Sequence, residues 1–349
     1  MKIIQVGSGG WAKGWLEYIH ADPEWELTAL VSRGGSSLEE AKARYGLADS
    51  QCFTDFSQAL KLDCDVVLIA LPHRLHLEYA AKAVRAGKNV LIEKPLCESM
   101  EDAVRFAEFM RGRPERAWVS QNFRFRKQLW QMKASLGAAG IGSPRWADVN
   151  FRLGMSGDRD DPAAAWQRVP WRREQASLLF LESAIHHFDM MRFLTGSNAS
   201  SIYATAWTPE WGGVNTPLST MAVLEFESGF KAGYSASIRS IGFETGWQGN
   251  WLLQTDAGAV RWEYDGELCL EMGDGAAGAL VEDFTFAGQD RGGVLSELKR
   301  QLRGEPGAVP DVFDNLNSLA VSFAALKSLK EQRKVLLSEI LEEKSFERS

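Results

Sequence analysis

Paired cysteines are missing from this chain. Cys52, Cys64, Cys97 and Cys269 stand apart, none in C-x-x-C spacing. That pattern excludes a disulfide framework and suits reduced thiols in a cytoplasmic protein. Long hydrophobic runs are missing too. No apolar stretch approaches the roughly 20 residues of a membrane helix. The first strand pattern begins almost at Met1 with no signal-peptide pattern before it, so no membrane partner is expected. An excess of positive charge is likewise absent: the net charge of -7 argues against a nucleic-acid partner, although clusters at 111–116 and 124–127 can hold small anions. His73 and His76 are three residues apart but have no third ligand nearby, so no metal is expected. Internal repeats and low-complexity segments are not found.

What is present suffices for two domains with cores of their own. Hydrophobic residues make up 45% and charged residues 24% of the chain, an ordinary balance for a soluble globular protein. Tryptophan is abundant, and several of the rings fall in loop-like segments, where they line ligand sites or pack cores and interfaces.

Strands and helices alternate through the first third. Residues 2–6 (K-I-I-Q-V) read as a buried strand running into Gly7-Ser8-Gly9-Gly10-Trp11-Ala12; Trp15, Leu16 and Ile19 then fall on one helical face. This is G-x-G-x-x-A, the dinucleotide fingerprint with a small last residue. Gly7 permits the tight turn, Gly9 lets the backbone approach a pyrophosphate, and Ala12 lets the helix pack on the strand. A second strand over 25–31 ends at Ser32-Arg33-Gly34. An NAD site usually carries Asp or Glu there, about twenty residues beyond the fingerprint, for the ribose 2′-hydroxyl. A hydroxyl and a guanidinium suit a 2′-phosphate instead, so NADP(H) is favoured and NAD(H) remains possible. The plain alternative is that Arg33 is a solvated turn residue that at most stacks on adenine.

A helix over 38–45, a short strand end and helix over 53–60, and a fully buried strand over 65–70 follow. The strand ends at Ala70-Leu71-Pro72-His73-Arg74-Leu75-His76, where Pro72 suits the start of a helix over 75–86 and Gly87 its cap. Ala70, Leu71, Pro72, His73 and His76 are thus expected in the cofactor site, the histidines capping or hydrogen-bonding near the nicotinamide. The next strand, within 88–95, stops at Glu93-Lys94-Pro95. A Lys placed at that edge by a rigid strand meets a substrate with little reorganisation; a surface Glu-Lys pair before a strand-ending proline is the plain alternative. A helix over 100–110 and a strand over 117–125 complete a doubly wound parallel sheet.

Taken in order, residues 7–12, A-L-P-H-R-L-H at 70–76, A-G-K-N-V-L-I-E-K-P at 86–95, Q-N-F-R-F at 121–125 and L-E-S-A-I-H-H-F-D at 181–189 resemble the glucose–fructose oxidoreductase and inositol dehydrogenase family (Gfo/Idh/MocA). Residues 314–337 resemble its closing helix and strand, and nearly the whole chain is covered. The resemblance implies an α/β protein: a Rossmann domain over 1–122, then an α/β domain over 123–349 with an open, mostly antiparallel sheet and a C-terminal helix around 312–331. It implies an NAD(P)-dependent oxidoreductase acting on a sugar, polyol or inositol-like hydroxyl or ketone. It further implies a homodimer or homotetramer built through that sheet. It places Lys94 beside nicotinamide and substrate, normally held by a cis peptide at Pro95, with Glu93 and Asn122 in the cofactor set.

In the second half, 142–153 alternates as a half-buried strand. The loop 154–175 carries Trp166 and Trp171-Arg172-Arg173, and reads as a flap over cofactor and substrate or as a surface excursion. Trp171-Arg172 resembles the family's W-R that faces the cofactor. A helix over 178–194 sets Glu182, His186 and Asp189 on one face, with His187 pointing away as a structural residue. The family usually has Asp where Glu182 stands and a glycine pair where this chain has Leu178-Leu179, so the orienting geometry differs. Hairpins over 219–238 and 251–264 follow.

His186 is expected as the acid/base, oriented by Glu182, and Lys94 as the donor that stabilises charge on the same substrate oxygen; the two roles could be exchanged. Arg124, Trp166 and Asp189 are expected at the substrate beside them. Two rivals stand next to this reading. One is a glycoside hydrolase of the same fold that uses nicotinamide transiently. The other is a non-catalytic NAD(P)-sensing regulator, which would have no use for Lys94, His186 and a carboxylate at 182.

Overall fold

Runs of Val, Ile and Leu without polar alternation demand cover on both faces, and the first unit supplies it with helices on either side of a parallel sheet. The computed structural model describes residues 1–137, 140–154, 177–264 and 266–342. It separates into Met1–Phe125 with Ala287–Leu316, and Arg126–Phe286 with Asn317–Ser349. In the first unit β1 (Lys2–Val6), β2 (Glu26–Val31), β3 (Cys52–Phe53), β4 (Val66–Ile69), β5 (Asn89–Glu93) and β6 (Ala117–Ser120) pair in the order β3-β2-β1-β4-β5-β6. Every pairing is parallel. This is the doubly wound dinucleotide-binding order, whose carboxyl edge is where ligands collect. The helix Ala12–Ala21 buries Ala12, Trp15, Leu16 and Ile19, as their spacing requires.

The strand expected over 117–125 stops at Ser120, and Asn122–Arg124 forms a tight 3-10 turn. A later segment meets it there: Trp118 bridges to Asp311, and the Val119 N–H donates to the Pro310 carbonyl at 2.9 Å. The sequence-based division at 122/123 leaves Ala287–Leu316 with the second domain, whereas its contacts return it to the first unit. The reason is a set of polar ties: Lys299 donates to Asp22 at 2.8 Å and to Glu24, and Arg116 donates to the Gln301 carbonyl at 2.8 Å.

The second unit holds a mixed sheet of β7 (Pro144–Arg152), β8 (Ala199–Trp207), β9 (Ser219–Phe226), β10 (Lys231–Ser237), β11 (Asn250–Thr255), β12 (Gly258–Trp262), β13 (Cys269–Met272) and β14 (Val335–Leu336). Their order is β13-β12-β11-β7-β10-β9-β8-β14, and only β7 and β10 run parallel. Alternation decides the faces. Ala147, Val149 and Phe151 are buried on one, while Trp146, Tyr203, Trp207, Met221, Val223 and Leu252 stay exposed.

The helix expected over 178–194 is not uniform. Leu178–Ala184 is π-helical and Ile185–Thr195 α-helical. The Ile185 N–H reaches back five residues to the Phe180 carbonyl, which also accepts from Ser322 Oγ at 2.9 Å. A side-chain donor on that carbonyl accompanies the wide turn. No helix among the described residues is long and apolar enough to cross a membrane.

Candidate functional site

The turn after β1 is shaped by contacts that only glycine allows. Gly7 has φ +113°, and a Cβ there would stand 2.2 Å from the Ala70 carbonyl oxygen at the end of β4. Gly9 and Gly10 face open space, with nothing within 4 Å of where a Cβ would stand, so a pyrophosphate can lie against their backbone. Gln5, polar in an otherwise apolar strand and wholly buried, donates through Nε2 to the Gly7 and Ala12 carbonyls, each at 2.9 Å. It ties the two ends of the turn together. Its polarity inside a buried strand was the signal available in the sequence.

Ser8 carries the turn toward β2. Its Oγ lies 2.7 Å from Ser32 Oγ and 2.9 Å from Ser37 Oγ, which gathers three hydroxyls beside the exposed Arg33. No carboxylate occupies the end of β2. Ser37 was missed in the sequence because it follows the turn rather than ending the strand.

Beyond β4, Ala70, Leu71, Pro72 and His73 follow in a short turn, with His73 Nδ1 3.4 Å from Glu98 Oε1. His76 is fully buried and spans two carbonyls, Leu71 (Nε2, 2.8 Å) and Pro95 (Nδ1, 2.9 Å). Burial pushes its pKa down to about 4 against the opposing pull of these carbonyls. His76 therefore bridges the end of β4 and the turn that follows β5.

That second turn carries Glu93, Lys94 and Pro95, with a cis peptide between Lys94 and Pro95. Glu93 uses both oxygens: Oε1 accepts from Trp15 Nε1 at 2.7 Å and Oε2 from the Lys94 N–H at 3.0 Å. The backbone of Lys94 is thus held from the helix Ala12–Ala21 as well as from the sheet. β1, β4 and β5 are consecutive neighbours, so the glycine-rich turn and Lys94 lie at one carboxyl edge, two strand spacings or about 10 Å apart.

Two other predicted residues have internal partners. Asn122 Nδ2 donates to Asp290 Oδ1. Arg124 is buried, with Nη2 donating to Asp314 at 2.7 Å and Nη1 to the Ala308 carbonyl at 3.2 Å. Arg124, expected at the substrate, ties the turn after β6 to the returning segment.

In the second unit Glu182 and His186 are both buried, one on the π-helical stretch and the other on the α-helix after it. His187 is structural. Its Nε2 lies 2.9 Å from the Trp247 carbonyl, which can only accept, so Nδ1 accepts from the Tyr234 hydroxyl at 2.9 Å. Burial pushes its pKa down to about 4. Asp189, expected at the substrate, is 1% exposed and accepts from Ser318 Oγ at 2.6 Å, with Arg192 3.8 Å away. A carboxylate so enclosed anchors the helix to its neighbour. Trp166, Trp171 and Arg172 lie outside the described residues. No group of three or more His, Cys, Asp or Glu that could hold a metal occurs among the described residues.

Known proteins resemble the chain over nearly its whole length. Residues 1–121 match the model of the GFO/IDH/MocA oxidoreductase family, NAD-binding Rossmann fold, and residues 129–261 that of the GFO/IDH/MocA C-terminal domain. The chain is 28% identical to the uncharacterised protein y4oX of Sinorhizobium fredii, over 98% of this chain and 97% of that one. It is 28% identical to the myo-inositol 2-dehydrogenase of Thermotoga maritima, over 98% of this chain and all of that enzyme. An Agrobacterium radiobacter oxidoreductase, solved with NAD+, L-tartaric acid and magnesium, superposes with a TM-score of 0.84. It is 19% identical and covers 97% of this chain and 99% of its own, a likeness of fold.

Proposed function

The chain belongs to the Gfo/Idh/MocA oxidoreductase family, and from that membership we propose that it is a dehydrogenase of a sugar, polyol or inositol-like hydroxyl that prefers NADP(H). The observation that carries the reading is the shared carboxyl edge of β1, β4 and β5, where an open glycine turn and a doubly braced Lys94 stand about two strand spacings apart. The residues fit a dinucleotide: Gly7 clears the Ala70 carbonyl, and the space where Gly9 and Gly10 would carry a Cβ is open. When bound, the nicotinamide supplies the hydride acceptor or donor. Lys94 holds the substrate oxygen and stabilises its developing charge. The proton transfer is assigned to His186 of the second unit, with Glu182 setting its imidazole and supporting its charged form. The linked hydroxyls of Ser8, Ser32 and Ser37 with Arg33 support a 2′-phosphate, since their two mutual bonds leave one hydroxyl proton to donate and the guanidinium offers a planar fork. The polyol class is supported by the inositol dehydrogenases among the relatives.

The exposed apolar face of the second sheet supports a homodimer or homotetramer. Light scattering at micromolar concentration should give a multiple of the 38.8 kDa chain mass; a monomer rules this out. The functional test is equilibrium titration with NADP(H) and NAD(H), followed by a panel of inositols, polyols and sugars. Tighter NADP(H) binding and turnover of at least one cyclic or linear polyol are expected. Equal dissociation constants would remove the NADP preference, and absence of turnover across the panel would remove the substrate class.

A further inference from the structure

The helix Asp290–Leu302 brings a cation to the glycine-rich turn that the fingerprint does not include. The chain enters this helix at Asp290, a non-glycine residue at φ 54°, in the left-handed region. Its N–H donates to the Phe125 carbonyl at 2.8 Å, and its carboxylate accepts from Asn122. Both bonds hold the reversal that turns Arg291 back onto the helix Ala12–Ala21. There the guanidinium carbon lies 5.6 Å from the Trp11 ring centroid and 5.4 Å from that of Trp15. Nη1 occupies the space where a side chain at 14 would go: a Cβ on Gly14 would stand 2.3 Å from it. Glycine inside a helix is unfavourable, and here it makes the room that Arg291 fills.

The guanidinium nevertheless has poor partners. Its acidic partner among the described residues is Glu93, with Nε 3.8 Å from Oε1, and both Glu93 oxygens already accept from Trp15 and Lys94. Nε is buried without an acceptor among the described residues, and the side chain is 15% exposed. A largely desolvated fork with open donors calls for an oxyanion. Trp11, at the mouth of the turn and 56% exposed, gives the cation an aromatic rest on the open side.

We propose that Arg291 is a dinucleotide-binding residue that donates to the cofactor's pyrophosphate from the helix side of the glycine-rich turn, in the space left by Gly14. The inference rests on the reading of that turn as the cofactor site. Because the pyrophosphate is common to NAD and NADP, Arg291 sets affinity for both, while Ser32, Ser37 and Arg33 set the choice between them.

The test is calorimetric titration of the full chain with ADP-ribose, NADP+, NAD+ and AMP. Arg291→Met should weaken ADP-ribose and both dinucleotides by a common factor of about ten, the scale of a lost charged hydrogen bond, and AMP by much less. Gly14→Ala, which keeps every charge and favours the helix, should reproduce the loss by displacing the guanidinium; it carries the test if Arg291→Met does not fold. Unchanged ADP-ribose affinity in a folded Arg291→Met or Gly14→Ala variant overturns the proposal and leaves the oxidoreductase reading intact. Wild-type protein that binds neither ADP-ribose nor a dinucleotide overturns both.

Discussion

The end of β5 and the Leu178–Thr195 segment hold the two proposed catalytic side chains by opposite means. Lys94 follows a strand locked between two parallel neighbours, and its own N–H is fixed by Glu93. His186 follows the first residue of the α-helix that succeeds a π-helical stretch, in a segment buried without interruption from Leu178 to Arg192. At a sheet edge the position of a side chain follows from the strand, so one motif suffices to place it. On a helix it depends on the register of every preceding turn, and one wide turn moves it. Lys94 should therefore tolerate changes elsewhere in its unit, whereas the Glu182–His186 relation should be sensitive to its packing.

The sharpest way to break the comparison is at the helix. His186→Ala should lower turnover by roughly two powers of ten with little change in cofactor affinity, and Glu182→Gln should fall between it and wild type, as read by single-turnover hydride transfer. Near-normal turnover in His186→Ala would leave Lys94 as the proton donor. Next in size is the pH dependence of the helix's own anchor. His187 drops from 6.5 to about 4 on burial, which corresponds to roughly 3 kcal/mol at most. The imidazole is neutral when folded, and the unfolded chain binds the proton first. Its contribution is therefore present above about pH 6.5 and lost as the pH falls toward 4. Denaturant unfolding between these values should show a smaller loss in His187→Gln; an identical slope would mean that another group controls it. His76 contributes in the same direction from the first unit, so the slope should shrink rather than vanish.

Smaller effects are expected on the sheet side. Arg33→Ala should erase most of the NADP(H) preference, about tenfold, without raising the NAD(H) dissociation constant. Trp15→Phe removes the Nε1 donor to Glu93, and a severalfold loss in turnover with an unchanged dissociation constant is expected for a group that acts through Lys94. If affinity fell instead, Trp15 would act on the cofactor through Arg291, which rests on its ring and faces the same Glu93 oxygen.

Which parts the sequence revealed follows from the same contrast. Most of the parallel strands are legible because they are short apolar runs closed by a turn signal, and the Lys94 motif because it ends one of them; β3 is only Cys52–Phe53, and β6 stops at Ser120 where a 3-10 turn begins soon after. The π-helical turn is not legible, since Leu178–Ala184 has the composition of any buried helix and the Ser322 hydroxyl on its Phe180 carbonyl comes from 142 residues away. The expectation for Asp189 rests on helical spacing and that for Arg124 on the Q-N-F-R-F motif, and neither shows the partners Ser318 and Asp314, which lie far along the chain. The helix Asp290–Leu302 escaped notice for a different reason: Gly292 and Gly293 open it, and its buried side includes Glu297, Lys299 and Gln301. Leu295, Leu298 and Leu302 nonetheless carry helical spacing that could have exposed it.

Lys94 is the residue at which the proposed reaction is placed. Single-turnover nicotinamide absorbance with an accepted polyol, measured for wild type and Lys94→Met beside a cofactor titration of each, isolates its role. A rate lost by at least about a hundredfold, with cofactor dissociation constants within about twofold, is the predicted result. Unimpaired hydride transfer in Lys94→Met would contradict the placing of the reaction at the end of β5.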